Sequence, residues 1–280
     1  MAQDKVYQGI ILDEVMVKAV QEGFDVNRFI AWVKNDTTFY QAFRNLRLLN
    51  YRMYNDIVVY GKGEGMEKAS YQSVTRQIVE NRCRRMLTET EKVKGDFYEG
   101  NREYRYLTAS LYAHLFFTRG VVCAGQGSSR KGGRARYEEQ LRMLIFNPGQ
   151  RIRGIPGIGE NVAIYEELTR SQYDFRLSRE SHLGEDCFVF RAKPKKEFQK
   201  DVVINDLKTW IRVSDRAIVA REYSLSYNTL IYDFDVVMKV KLKPVQSLLV
   251  PYEISYRGNW DAVTRPRENA AFTAIFTDFQ

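Results

Sequence analysis

The side chains able to do chemistry in this chain are few and scattered. Histidine occurs twice, at His114 and His182, and cysteine three times, at Cys83, Cys123 and Cys187. A structural metal centre needs several His, Cys, Asp or Glu residues at short regular spacing, and no such cluster is present. His182 lies near Cys187 in sequence, but a lone pair of that kind does not make a nucleophile and its base. His114, between Leu111 and Leu115, reads as a helix residue bonded at the edge of a core. The acidic pairs Glu138-Glu139, Glu166-Glu167 and Glu185-Asp186 are adjacent, so their carboxylates diverge instead of facing each other across a cleft as glycosidase chemistry requires. Gly61-Lys62-Gly63 lacks the form of a phosphate loop, and the glycines between 154 and 159 miss the dinucleotide spacing. The expectation is a protein without catalysis, metal or cofactor. Two readings of the cysteines stand equal: one bridge in an oxidising compartment, with Cys123 to Cys187 the first choice, or buried free thiols.

The bulk numbers bound the partners. Apolar residues make up 44% and charged residues 28% of 280, which describes a globular chain with enough material for a sizeable core. Net charge is +8 with a pI near 9.2, attractive to phosphate backbones, anionic head groups or acidic proteins alike. The densest basic cluster, Arg130, Lys131, Arg134 and Arg136, falls around the Gly/Ser-rich stretch Gly125 to Gly133 and reads as a solvated loop or an anion contact. No segment has the roughly 18 to 20 uncharged apolar residues of a membrane helix. Residues Met1 to Tyr7 show no charged-then-apolar export signal, which suits a cytosolic chain or a mature exported fragment with an added initiator methionine.

The elements that must position these residues follow from periodicity. Residues 10 to 20 are apolar without a decisive period and read as a short strand or arm. Asp25 caps a helix whose Val26, Phe29, Ile30 and Val33 form one stripe, and a second helix follows Asp36-Thr37. From Tyr51 the period becomes two, with Tyr51, Met53, Asn55, Ile57 and Val59 on one face. Strands at about 71 to 79 and 82 to 93 complete a meander, helices are expected at 107 to 117 and 137 to 146, and seven strands crowd the stretch from 173 to 279. Turn signals stand at Gly184, Ser214-Asp215 and Lys243-Pro244.

About ten strands are too many for a flat sheet. The expected fold class is α+β, a strongly curved antiparallel sheet forming a half-open β-barrel with helices covering the concave side. Residues 1–24 would form an N-terminal arm and 25–280 a single domain with a helical, Gly-rich insertion at about 94–170. Helices 107 to 117 and 137 to 146 would act as movable covers, and Leu141, Met143, Leu144 and Phe146 are the candidate cavity residues.

Two resemblances bear on function. Gly154-Ile155-Pro156-Gly157-Ile158-Gly159 with Ala163 resembles the hairpin of helix-hairpin-helix DNA-binding modules, but Glu166 stands where the second helix would be apolar. Tyr173-Asp-Phe-Arg-Leu177, the run Leu183 to Lys195, and Lys208-Thr-Trp-Ile-Arg212 continuing to Tyr223 resemble the strand succession of LolA-type outer-membrane lipoprotein-sorting proteins. The segment Asp36 to Arg47 is similar to exported relatives of Bacteroidetes type. The second resemblance implies a lidded half-barrel holding acyl chains, in the periplasm or at the outer membrane. The partners it implies are a lipid or lipoprotein acyl chain and an envelope protein, with peripheral membrane association. The rival expectations are an envelope interaction module with a filled barrel, and nucleic-acid binding through the Gly157 loop.

Overall fold

Alternation along the strands dictates most of the architecture. In the computed structural model, residues 5–7, 9–21, 23, 25–61, 65–124, 148–152, 159, 161–228, 232–262 and 265–280 are described. They form an α+β fold dominated by antiparallel strands, and the chain groups into two compact units, Met1–Tyr40 with Glu139–Ser226 and Gln41–Glu138 with Tyr227–Gln280. Among the described residues, neither unit's strands close on themselves by hydrogen bonds.

The first unit begins with β1 (Lys5–Tyr7) and β2 (Ile10–Leu12), which pair with each other, and β2 then runs parallel to β7 (Tyr173–His182). An antiparallel meander continues through β8 (Glu185–Pro194), β9 (Ile204–Arg212) and β10 (Ile218–Asn228). Residues 10 to 20 are therefore not one arm. Asp13 ends β2 and caps α1 (Glu14–Gln21), its Oδ1 accepting the Met16 amide at 2.9 Å. Asp25 likewise caps α2 (Val26–Asn35) by accepting the Arg28 amide at 3.0 Å. The predicted stripe Val26, Phe29, Ile30 and Val33 is buried, and Phe29 meets the rings of Phe188 and Phe190 at 5.9 and 5.7 Å. Burying four such side chains stabilises the helix on its sheet by roughly 6 to 12 kcal/mol before chain entropy is counted. A short helix, α5 (Glu167–Arg170), precedes β7.

The chain enters the second unit along α3 (Thr38–Asn45) and a 3-10 turn (Leu46–Leu48). Its strands are β3 (Tyr51–Tyr60), β4 (Glu67–Glu80), β5 (Cys83–Lys94), β6 (Val122–Cys123), β11 (Tyr232–Val245), β12 (Leu248–Ala262) and β13 (Arg265–Thr277). Their order is β11-β12-β13-β3-β4-β5-β6, antiparallel throughout. The last strand returns to pair with β3, and Asn50 and Gln280 exchange backbone hydrogen bonds of 3.1 and 3.0 Å. Helix α4 (Leu107–Phe116) lies between β5 and β6 in sequence.

The ten expected strands are present, β2 is a short strand within the residues 10 to 20 read as strand or arm, and the two that sequence reading missed, β1 and β6, are only three and two residues long. The turn signal at Lys243-Pro244 is misplaced. Both residues belong to β11 and the chain reverses at Gln246, whose φ is +54°. Proline is tolerated in the ladder there because only its missing amide, not its carbonyl, is lost to pairing.

Candidate functional site

The period-two face of β3 buries Tyr51, Met53, Asn55, Ile57 and Val59, and Asn55 is its one polar member. An amide on an apolar face must be bonded, and Ser73 and Tyr112 are its shortest partners. Asn55 Nδ2 donates to Ser73 Oγ at 3.0 Å, and its Oδ1 accepts the Tyr112 hydroxyl at 2.5 Å. Tyr112 belongs to α4. Burial pushes its phenol far above the usual range, so it remains a donor.

Helix α4 is apolar on nearly every side, with Leu107, Ala109, Leu111, Tyr112, Ala113 and Phe116 buried and His114 on the exposed side. Tyr106, the residue before it, supplies no side-chain cap. Glu268 of β13 supplies it from across the sheet: the amides of Leu107 and Thr108 donate to its two carboxylate oxygens at 2.7 and 2.9 Å. Glu268 is only 6% exposed, and these two bonds occupy both its carboxylate oxygens at the positive end of the helix dipole. Two residues of the sheet, Glu268 and Asn55, thus hold one apolar helix by three hydrogen bonds.

Beneath α4 the sheet is aromatic. Tyr112 meets Phe272 edge-on at 4.7 Å, Phe116 meets Phe276 at 5.7 Å, and Tyr256 stacks on Phe272 at 4.7 Å. Phe234 stacks on Trp260 at 4.9 Å, and Trp260 Nε1 donates to the Tyr256 hydroxyl at 2.5 Å. Gly258 lies between these last two on the same face of β12. A Cβ there would stand 2.0 Å from Tyr256 Oη, so only glycine lets the phenol and indole meet. The surface so formed is largely apolar, with the polar atoms of Asn55, Glu268 and the Tyr256–Trp260 pair bonded. Its chemistry is that of a surface that can hold hydrocarbon.

The cysteines pair differently from the expectation. Cys83 and Cys123 are register partners on β5 and β6, 3.9 Å apart at Cα, and form the disulfide, whereas Cys187 remains a thiol buried on β8. A two-residue β6 leaves no periodicity to read, which is why sequence reasoning missed its partner. Burial, followed by the nearby Glu185 and Asp186 carboxylates, pushes the Cys187 thiol up, which keeps it protonated and unreactive.

The remaining chemistry-bearing residues do not converge. Glu166 pairs with Lys34 at 3.2 Å, Glu185 with Arg212 at 2.9 Å, and Asp186 with Arg179, all at half-exposed or exposed surfaces. Among the described residues, no group of three or more His, Cys, Asp or Glu could hold a metal ion. Also among them, no helix is long and apolar enough to cross a membrane. Leu141, Met143, Leu144 and Phe146, with the basic loop and helix 137 to 146, lie outside the described residues, as does Gly154 to Ile158. The helix expected at 107 to 117 is α4.

The first unit contains a feature that sequence reading did not single out. Arg221 on β10 is 2% exposed, its guanidinium stands 4.4 Å over the Phe39 ring, and its Nε has no hydrogen-bond partner among the described residues. Burial pulls its pKa below the usual arginine range. An arginine in a strand otherwise rich in apolar residues, Ile218-Val-Ala220, was the available signal.

No protein-family model matches the chain, and no curated protein matches it. Among solved structures, a DUF1329 family protein from Desulfovibrio piger is 10% identical over 88% of this chain and 93% of that one, with a TM-score of 0.26. A chain from Vibrio parahaemolyticus described as a "putative outer membrane lipoprotein-sorting protein domain" is 9% identical over 85% and 90%, with a TM-score of 0.27. Similarities this low carry no argument about this chain, and the fold rests on the strand pairing itself.

Proposed function

We propose that this is a non-catalytic protein of the cell envelope that binds an apolar ligand, the acyl chain of a lipid or lipoprotein, on the aromatic sheet face covered by α4. The carrying observation is that α4 is buried by apolar contact over an aromatic sheet face, with its N-terminal amides held by Glu268 and its Tyr112 by Asn55. Such a helix can be exchanged for another apolar body.

Magnitudes support the exchange. Uncovering Leu107, Leu111, Tyr112 and Phe116 costs roughly 6 to 12 kcal/mol, at about 1.5 to 3 per large side chain. A sixteen-carbon chain entering the same face gains about 11 kcal/mol, at about 0.8 per CH₂. The two terms nearly cancel, which is the condition for a carrier that loads and releases. In this reading α4 is the lid, and the aromatic face of the sheet beneath it is the wall of the site. The Cys83–Cys123 disulfide supports an oxidising compartment such as the periplasm, because such bonds rarely persist in a reducing cytosol.

Native mass spectrometry of the purified protein tests the proposal. A fraction carrying added lipid mass, displaced by excess palmitate, supports it. A single apo mass that palmitate never shifts means that the aromatic face is a permanently filled core, and the protein is then an envelope interaction module instead.

A further inference from the structure

A second surface of the Gln41–Glu138 and Tyr227–Gln280 unit has a different chemistry. A cleft of about 660 Å³ is lined by Arg44 on α3, Arg47 in the following 3-10 turn, Arg82 in the β4–β5 turn and Arg84 on β5. None of the four guanidiniums makes an ion pair or side-chain hydrogen bond among the described residues. Glu80, at the same turn, pairs with none of them. Elsewhere on this chain arginine is routinely matched with carboxylate, as in Arg52 with Glu89, Arg102 with Glu91 and Arg267 with Asp233. Four unmatched cations in one hollow repel one another, and each lacks an acceptor for its planar fork of N–H donors.

The walls are built to hold that arrangement. Gln77, itself buried, donates to the carbonyls of Leu46 and Leu49 at 2.7 and 2.8 Å and so fixes the turn that carries Arg47. On the other side, the Cys83–Cys123 disulfide and the hydrogen bond from the Ala124 amide to the Arg82 carbonyl, 2.9 Å, fix the segment that carries Arg82 and Arg84. Asn81 and Arg82 form a two-residue hairpin turn with φ of +51° and +62°. Glycine is the residue that such a turn favours at its second position, so arginine there is held against local preference. Burial, and then the charge of Arg47, pull the Arg84 pKa down, the mark of a cation that would be relieved by an anion. Val79 and Val122 add an apolar floor.

We propose that the cleft between Arg44, Arg47, Arg82 and Arg84 is a binding site for a phosphate group. Arginine pairs are bidentate ligands for phosphate oxygens, and the site lies on elements other than α4, so it stands whether or not an acyl chain binds under that helix. A free phosphate and the phosphomonoester head group of a lipid share this chemistry.

The test uses the oxidised full chain and two probes: inorganic phosphate by calorimetry, and phosphatidylcholine vesicles with or without phosphatidic acid by co-sedimentation. Binding of phosphate assigns a free anion, binding only to vesicles containing phosphatidic acid assigns a head group, and both outcomes support the site. The double variant Arg44→Gln, Arg47→Gln should weaken whichever interaction is seen at least tenfold. Arg82→Gly removes a guanidinium while giving the turn its favoured residue, so it should weaken binding about fivefold with an unchanged or higher melting temperature. Arg257→Gln, which removes an exposed charge on β12, should change binding less than twofold. Failure of both probes to bind, equal binding to vesicles lacking phosphatidic acid, or equal losses in the Arg257 variant and the cleft variants would overturn the proposal.

Discussion

Replacing Glu268 by glutamine isolates what holds α4 in place. The carboxylate accepts two amides at the helix N-terminus, from Leu107 and Thr108, whereas an amide side chain has one oxygen and turns its NH₂ toward the second donor. The variant therefore loses one charge-assisted bond, about 1.5 to 3 kcal/mol, and a favourable charge at the helix dipole, about 0.3 to 1 kcal/mol. A total near 3 kcal/mol corresponds to roughly 150-fold faster exchange of amides that open with α4. Hydrogen exchange over a urea series reads this directly. In the unmodified protein, the amides from Leu111 to Phe116 should open at lower free energy, and with weaker urea dependence, than those of β3 and β13. In Glu268→Gln, the α4 amides should speed up by about two orders of magnitude and keep that weak urea dependence. If α4 and the strands share one opening free energy and one urea slope, the helix is part of a single cooperative core and cannot act as a lid.

Three further outcomes are expected. Arg221→Met should stabilise the protein by about 1 to 3 kcal/mol in urea unfolding, because it removes a buried cation without a carboxylate partner at the loss of one ring contact; a loss above 2 kcal/mol would mean that the guanidinium organises its surroundings. Stability should be flat to about pH 9 and fall as pH rises through the range above about 10, the phenol value in an unfolded chain. Burial raises Tyr165 to about 12 and raises Tyr51, Tyr223 and Tyr256 as well, so the unfolded state releases protons that the folded state keeps; Tyr165 alone removes roughly 2 kcal/mol by pH 12, and thermal melts followed with phenolate absorbance check it. Reduction of the disulfide, which closes a loop with a sequence separation of 40, should lower stability by about 4 kcal/mol in denaturant titrations with and without reductant, whereas Cys187→Ser should make no difference to that response.

Regular elements were legible because water enforces their periods. The α2 stripe and the β3 alternation each need a dry face and a wet one, and both appear in the structure with the residues expected, Asn55 included. Helix α4 was legible because a ten-residue segment apolar on nearly every side has to be largely buried. What escaped is what depends on distant partners. Glu268 caps a helix begun 161 residues earlier, and nothing in an isolated strand sequence marks a carboxylate for that task. The Cys83–Cys123 bridge depends on a strand of two residues. The Asp13 cap within residues 10 to 20 went unread because its bond is made to an amide three residues on, a pattern shared by turns. The arginine cleft gathers residues from four successive or distant elements, and each alone reads as an ordinary solvated cation.

The account turns on whether hydrocarbon reaches the face beneath α4, and Trp260 is the reporter built into that face. The chain has three tryptophans, so Trp32 and Trp210 are replaced by phenylalanine and the remaining fluorescence is titrated with dibromostearate, whose bromines quench only at contact. Saturable quenching of Trp260, reversed by palmitate and reached at lower concentration in Glu268→Gln, is the predicted result. Fluorescence unaffected by the brominated chain in both backgrounds would contradict the proposal that α4 covers a ligand site.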